Sequence, residues 1–134
     1  MLFRSAFTPD YFGKAARKAP MTNIKAFLID QRVVRGIGNA YADEILWAAR
    51  VSPRSLTGRI PPEVMLALHQ AIGAVLRDAV ASIRELSPDR ISGEERSFLK
   101  VHNKARKQTE TGFPILVEQI ASKTTYFTEE QTLY

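Results

Sequence analysis

Gly36-Ile37-Gly38-Asn39 is a short run whose residue types and spacing could do chemistry. Two glycines one residue apart let the backbone take positive φ and approach another surface closely. Ile37 between them can turn into a core and fix the turn. A helix beginning at Asn39 would face its first N–H groups outward with the helix dipole behind them, which suits one phosphate. The Asn39 carboxamide could add a donor to the same oxygen. Such contacts set register on a nucleic-acid backbone and carry no base information. The same residues also fit a plain corner, in which the glycines cap one helix and Asn39 caps the next.

The flanking elements must position this turn. Thr8-Pro9-Asp10 reads as an N-cap, a first-turn proline and an early acid, opening a short helix to about Lys18 that Ala19-Pro20 ends. Ile24, Phe27 and Leu28 form the apolar stripe of a second helix over Asn23 to Arg32. Asn39 is the expected N-cap of a third helix over 39–50, with Asp43 and Glu44 favouring the positive end of its dipole. Trp47 reads as core packing for that helix, with a base-stacking platform as the alternative. Pro61-Pro62-Glu63 opens the longest helix. Its stripe of Leu68, Ile72, Val75, Leu76, Ala79, Val80 and Ile83 keeps a 3.6-residue period until Ser87-Pro88-Asp89 ends it.

After about residue 90 the character changes. Residues 96–107, RSFLKVHNKARK, hold five Lys/Arg and no acid. Phe113 to Ile120 and Thr124 to Thr128 then read as two strands of a hairpin turning near Ala121-Ser122-Lys123. The expected fold is mainly α with a C-terminal β-hairpin. A helical subdomain spans 1–90, and a basic linker with the hairpin spans 91–134.

With 134 residues, 45% of them hydrophobic, the chain can bury a core. A net charge of +5 favours an anionic partner, nucleic acid first. There is no cysteine, which excludes disulfides, thiolate-bound zinc and a thiol nucleophile. His69 and His102 lie too far apart in sequence to read as a metal motif. No apolar run reaches membrane-span length and no signal-peptide core is visible, so a cytoplasmic or nucleoid-associated protein with no membrane partner is expected.

Residues 27–53, FLIDQRVVRGIGNAYADEILWAARVSP, closely resemble the helix-two-turn-helix signature of the Fpg/Nei DNA glycosylases. Asp30-Gln31, Val33-Val34, the GIGN turn, Tyr41 to Leu46 and Pro53 carry the likeness. By resemblance, Asn39 contacts the phosphate flanking the damaged nucleotide, assisted by the Gly38 and Asn39 amides. Lys25 falls where the family tends to have a lysine near the site; a solvated lysine beside Phe27 and Leu28 is the alternative. The implied partner is double-stranded DNA, damaged or abasic.

Residues 111–131 resemble the family's β-hairpin finger without its metal. Gly112, Pro114 and Ile115 match one side of the finger, and Ser122 to Tyr126 the other. The family's four zinc cysteines fall at about Gln108, Thr111, Thr128 and Gln131, so no cofactor is implied. Such a hairpin must lean on the helices, with Phe113, Ile115, Val117, Tyr126 and Phe127 as packing candidates and Phe98 and Leu99 at its base. At the finger tip Lys123 stands where the family has an arginine. It keeps the charge without the bidentate fork. Arg35, Lys100, Lys104, Arg106 and Lys107 complete the expected backbone contacts.

The family's nucleophile is an N-terminal proline followed by an acid, whereas this chain begins Met1-Leu2-Phe3-Arg4. The resemblance therefore implies no catalytic residue here, a missing N-terminal catalytic domain as partner, and no glycosylase or AP lyase activity from this chain alone. A stand-alone nucleic-acid-binding or docking module is the rival reading. A small-subunit ribosomal protein family has a similar turn, but residues 108–134, with one lysine and four acids, do not look like a ribosomal tail.

Overall fold

The computed structural model describes residues 8–30, 37–86, 99–103 and 106–134. Helix α1 spans Pro9–Lys18, and the Thr8 hydroxyl accepts from the Tyr11 amide at 3.1 Å, as an N-cap should. It turns Phe12 and Ala16 into the core. Helix α2, Ile24–Ile29, is capped by the Asn23 side chain on the Ala26 amide at 2.8 Å. It stops at Asp30, whose backbone is extended, rather than running to Arg32 as expected. Gln31 to Gly36, with Val33-Val34 of the signature, lie outside the described residues.

Helix α3 spans Asn39–Ala49 and α4 spans Pro62–Leu86, with a short 3-10 turn, Thr57–Arg59, before α4. The four helices share a core in which Phe12, Ile24, Leu28, Ile37, Ile45, Leu46, Leu68 and Ile72 are fully buried. Val75 and Leu76 pack at its edge. The side chains of Ala79, Val80 and Ile83, and the stop at Ser87-Pro88, lie outside the described residues. Among the described residues no helix is long and apolar enough to cross a membrane.

Strands β1 (Leu116–Ile120) and β2 (Lys123–Phe127) pair antiparallel from Leu116↔Phe127 to Ile120↔Lys123. β1 begins three residues later than expected, whereas β2 has the expected length and starts one residue earlier. β2 lies against α3, and Trp47, Val101 and Tyr126 form a second small core. Trp47 therefore packs, as the core reading expected. Tyr126, Phe127 and Leu99 are buried and Ile115 partly so. Phe113 and Val117 are 42% and 54% exposed, against expectation. β2 is the strand on the helix; Ile120 of the outer strand is still buried, but Phe113 and Val117 gain no such cover. Phe98 lies outside the described residues. The C-terminal residues close the assembly: Ser52 donates to the Thr132 carbonyl and Thr132 to the Arg50 carbonyl, both at 2.8 Å, and the Gln131 amide donates to the Val51 carbonyl at 2.9 Å.

Two positions give direct tests of this packing. A Cβ at Gly58 would sit 2.6 Å from Pro20 Cβ and 2.9 Å from its carbonyl oxygen, because the Gly58 amide bonds that carbonyl. Gly58→Ala should lower stability by about 1–3 kcal/mol in urea unfolding, since neither backbone can retreat freely. At the hairpin tip Ala121 and Ser122 have φ of 55° and 62°. A two-residue turn with both φ positive favours Asn-Gly, and a left-handed L residue costs roughly 1–2 kcal/mol. Ala121→Asn with Ser122→Gly should raise the melting temperature; an unchanged or lower value would show that the turn is not strained.

Candidate nucleic-acid interface

Ile37 is fully buried and anchors the turn to the core as expected. Gly38 has φ −89° and ψ 177°, an extended conformation open to any residue, so the expected positive φ does not apply there. Gly36 lies outside the described residues. A Cβ at Gly38 would meet none of the described residues within 4 Å, so their packing does not impose glycine at this exposed place. Gly38, not Asn39, is the N-cap of α3, and it supplies no side-chain cap to the first turn. Asn39 is the first helical residue. Its Nδ2 donates to the Thr124 carbonyl of β2 at 3.0 Å, across 85 residues of sequence. An amide has two N–H donors, so one remains after this bond. Its Oδ1 is buried and has no partner among the described residues.

Beneath the turn lies a buried polar network. Lys25 is fully buried, and its ammonium donates to Asp43 Oδ1 at 2.5 Å and Thr125 Oγ1 at 2.9 Å. Neither the phosphate-reaching nor the solvated reading of Lys25 fits this placement: the amine is sealed under β2. Burial lowers its pKa, against the opposing pull of Asp43, with the nearby Lys123 charge lowering it further. Asp43 Oδ2 accepts from the Tyr126 amide at 2.9 Å and pairs with His102 Nδ1 at 2.6 Å. The His102 ring lies 4.4 Å from that of Tyr126. Glu44 accepts three successive backbone amides, Lys100 at 2.7 Å and Val101 and His102 at 2.8 Å. Asp43 and Glu44 sit in the second turn of α3, so they serve tertiary contacts rather than the helix dipole. Sequence reasoning missed this role. The available signal was two adjacent acids on a helix otherwise rich in apolar residues.

The base of the hairpin is clasped by Glu130. Its carboxylate accepts from Trp47 Nε1 at 3.0 Å, Thr111 Oγ1 at 2.7 Å and Thr128 Oγ1 at 3.1 Å, with Arg50 nearby at 3.9 Å. The Arg50 guanidinium also stacks 4.2 Å from the Trp47 ring centre. Of the four positions aligned with cysteines, Thr111 and Thr128 bind Glu130. Gln131 accepts from the Thr128 amide at 2.8 Å, and Gln108 forms a bridge with Pro114. Side-chain hydrogen bonds, and not packing on the helices alone, hold this end.

Lys123 stands exposed at the start of β2, next to the Thr124 carbonyl that Asn39 holds. Arg106 and Lys107 are exposed. Lys100 is half-exposed and lies 3.7 Å from Glu110. Arg35 and Lys104 lie outside the described residues. The turn and the hairpin tip are thus brought together.

A helix pair joined through a glycine turn, with a β-hairpin latched to the second helix, defines a helix-two-turn-helix scaffold with a C-terminal finger. The family described as the formamidopyrimidine-DNA glycosylase H2TH domain matches residues 2–88, and the chain belongs to it. A Mycobacterium tuberculosis protein described as an uncharacterized formamidopyrimidine-DNA glycosylase-like protein is 43% identical over 79 residues, covering 59% of this chain and 50% of its own. The formamidopyrimidine-DNA glycosylase of Carboxydothermus hydrogenoformans is 37% identical over 103 residues, covering 73% of this chain and 39% of its own. The Lactococcus lactis enzyme, solved non-covalently bound to DNA containing an AP site, superposes with a TM-score of 0.78 at 26% identity over 97% of this chain and 48% of that one. The chain therefore spans half or less of these relatives' length.

The Glu130 clasp predicts acid sensitivity. Desolvation alone would raise its pKa, but the hydrogen bonds from Trp47, Thr111 and Thr128 and the Arg50 charge outweigh it, leaving the value below the usual 4.5. A carboxylate depressed on folding contributes stability above its unfolded pKa and loses it as pH falls through the folded value. Glu130→Gln should cost about 1–3 kcal/mol at pH 7. It should also flatten the loss of stability below pH ~4.5. Equal pH profiles for both proteins in chemical denaturation would refute the clasp.

Proposed function

We propose that this chain is the damaged-DNA-gripping part of a formamidopyrimidine-type DNA glycosylase and AP lyase of base excision repair, holding the phosphate backbone around the lesion. One observation carries the reading: the uncapped start of α3, fronted by a glycine with open space before it, is latched to a hairpin whose tip bears Lys123. A phosphate fits such a place. It would accept from the first-turn amides and the remaining Asn39 N–H, with Lys123 supplying charge. Gly38 then lets the backbone come close to that phosphate. Arg106, Lys107 and Lys100 extend the grip by sequence-independent charge, joined by Arg35 and Lys104, and no metal is needed for it. Lys25 acts from below, as a support rather than a contact.

Base release is assigned to a domain outside the residues gathered here. The Lys25 amine is sealed and paired with Asp43, so it has no path to a sugar carbon. The 134-residue chain should form no borohydride-trapped adduct with an abasic duplex, and a trapped adduct would overturn that assignment.

Binding anisotropy on an intact duplex and one with a stable abasic analogue tests the grip. If four to six phosphates are neutralised, log K should fall with log salt at a slope of roughly −4 to −5. Asn39→Ala should weaken binding about 10-fold on both duplexes. Lys123→Ala should reduce the slope by about 1, while Lys123→Arg should bind at least as well. Absence of duplex binding at low salt, or preference for ribosomal RNA, would sink the reading.

A further inference from the structure

Two adjacent acids lie beside a site meant for a polyanion. By charge alone they oppose binding, since an unscreened carboxylate repels a phosphate over several ångströms. Asp43 is almost wholly buried, and each oxygen is committed to a different element: Oδ1 to Lys25 of α2, Oδ2 to the Tyr126 amide of β2 and to His102 of the 99–103 segment. An ionised carboxylate only accepts, so facing one His102 Nδ1 donates in that pair. Lys25 passes the hold on to Thr125 Oγ1, beside Thr124. Thr124, Thr125 and Tyr126 are consecutive in β2. They are held in turn by Asn39, by Lys25 and by Asp43. Glu44 fixes the backbone of Lys100, Val101 and His102 from the same helix turn.

We propose that Asp43 is a positioning residue for the DNA grip: by holding Lys25, His102 and the Tyr126 amide at once, it sets β2 at the distance from α3 where Asn39 and Lys123 meet one phosphate. The inference rests on the reading of the turn and the hairpin tip as a phosphate site. Asp43, buried beneath β2, does not itself touch DNA. It acts through the strand it holds, and the favourable geometry outweighs its repulsion because Lys25 neutralises its charge at 2.5 Å.

The test uses the full chain carrying Asp43→Asn with Lys25→Met, which removes one acid and one base and leaves the net charge unchanged. Binding to the abasic-analogue duplex is measured with and without Asn39→Ala, at two salt concentrations, after thermal melting has shown the variants folded. Positioning predicts about 10-fold weaker binding for the pair. It also predicts that Asn39→Ala, costly in the parent, changes the pair less than about 2-fold, because the amide no longer meets the phosphate. A merely stabilising Asp43 would lower the melting temperature yet leave the parent's affinity and the full Asn39→Ala effect, and that result overturns the inference. If the pair does not fold, His102→Gln, which cuts one arm and keeps the ion pair, is run through the same cycle with the same two outcomes. A parent chain that binds no duplex would defeat the phosphate-site reading itself, whereas a binding parent with additive variants defeats only the role of Asp43.

Discussion

The buried pair of Lys25 and Asp43 is the interaction on which the rest of this structure depends. Two charges cannot leave water without compensation, and a pair survives burial only when its remaining donors and acceptors are also satisfied. Here the compensation comes from three groups on two separate elements, since the carboxylate also receives the Tyr126 amide and the His102 ring while the ammonium also reaches Thr125. The need to satisfy one carboxylate therefore dictates where the hairpin and the 99–103 segment sit on α3. Breaking the pair would leave an unpaired charge in the interior, so the arrangement is held as a unit rather than contact by contact.

The far end of the hairpin solves a different problem. A two-stranded hairpin is marginal alone in water, and the resembled finger holds its base with metal. In this chain the aligned positions carry hydroxyls and amides, and Glu130 gathers an indole, three threonines and an arginine around one carboxylate. Charge-assisted hydrogen bonds are stronger than neutral ones, which lets a single acid organise several loops. Asn39 holds Thr124 near the tip, the Asp43 network holds Thr125 and Tyr126, and the clasp holds Thr128 just past the strand, so β2 is fixed along its length while β1 is the outer strand.

Much of the fold was legible from local rules. The Thr8 cap, the proline at the start of α4 and the apolar stripes of α2 and of the described part of α4 are short-range features, and they appear where the residues put them. The hairpin was legible from its β-branched and aromatic runs. Errors arose where a residue's role is set by a distant partner. Asp43 and Glu44 read as dipole partners because they sit early in a helix, yet their ligands lie 18 to 83 residues away. Lys25 read as a surface or phosphate lysine because lysines are seldom sealed without a partner, and the partner is not local. Phe113 and Val117 read as packing residues because they are apolar, while strand order left them outside.

The sequence by itself determined the helices, the Thr8 cap, the hairpin and the turn motif that marks the family, because each follows from propensity and spacing within a few residues. Only the tertiary structure decided that Gly38 caps α3 without strain, that Asn39 is tied to Thr124, that Lys25 is a buried support, and that Glu130 closes the finger. Those outcomes depend on which strand faces α3 and on how buried charges find their partners, and neither is encoded in any single stretch of chain.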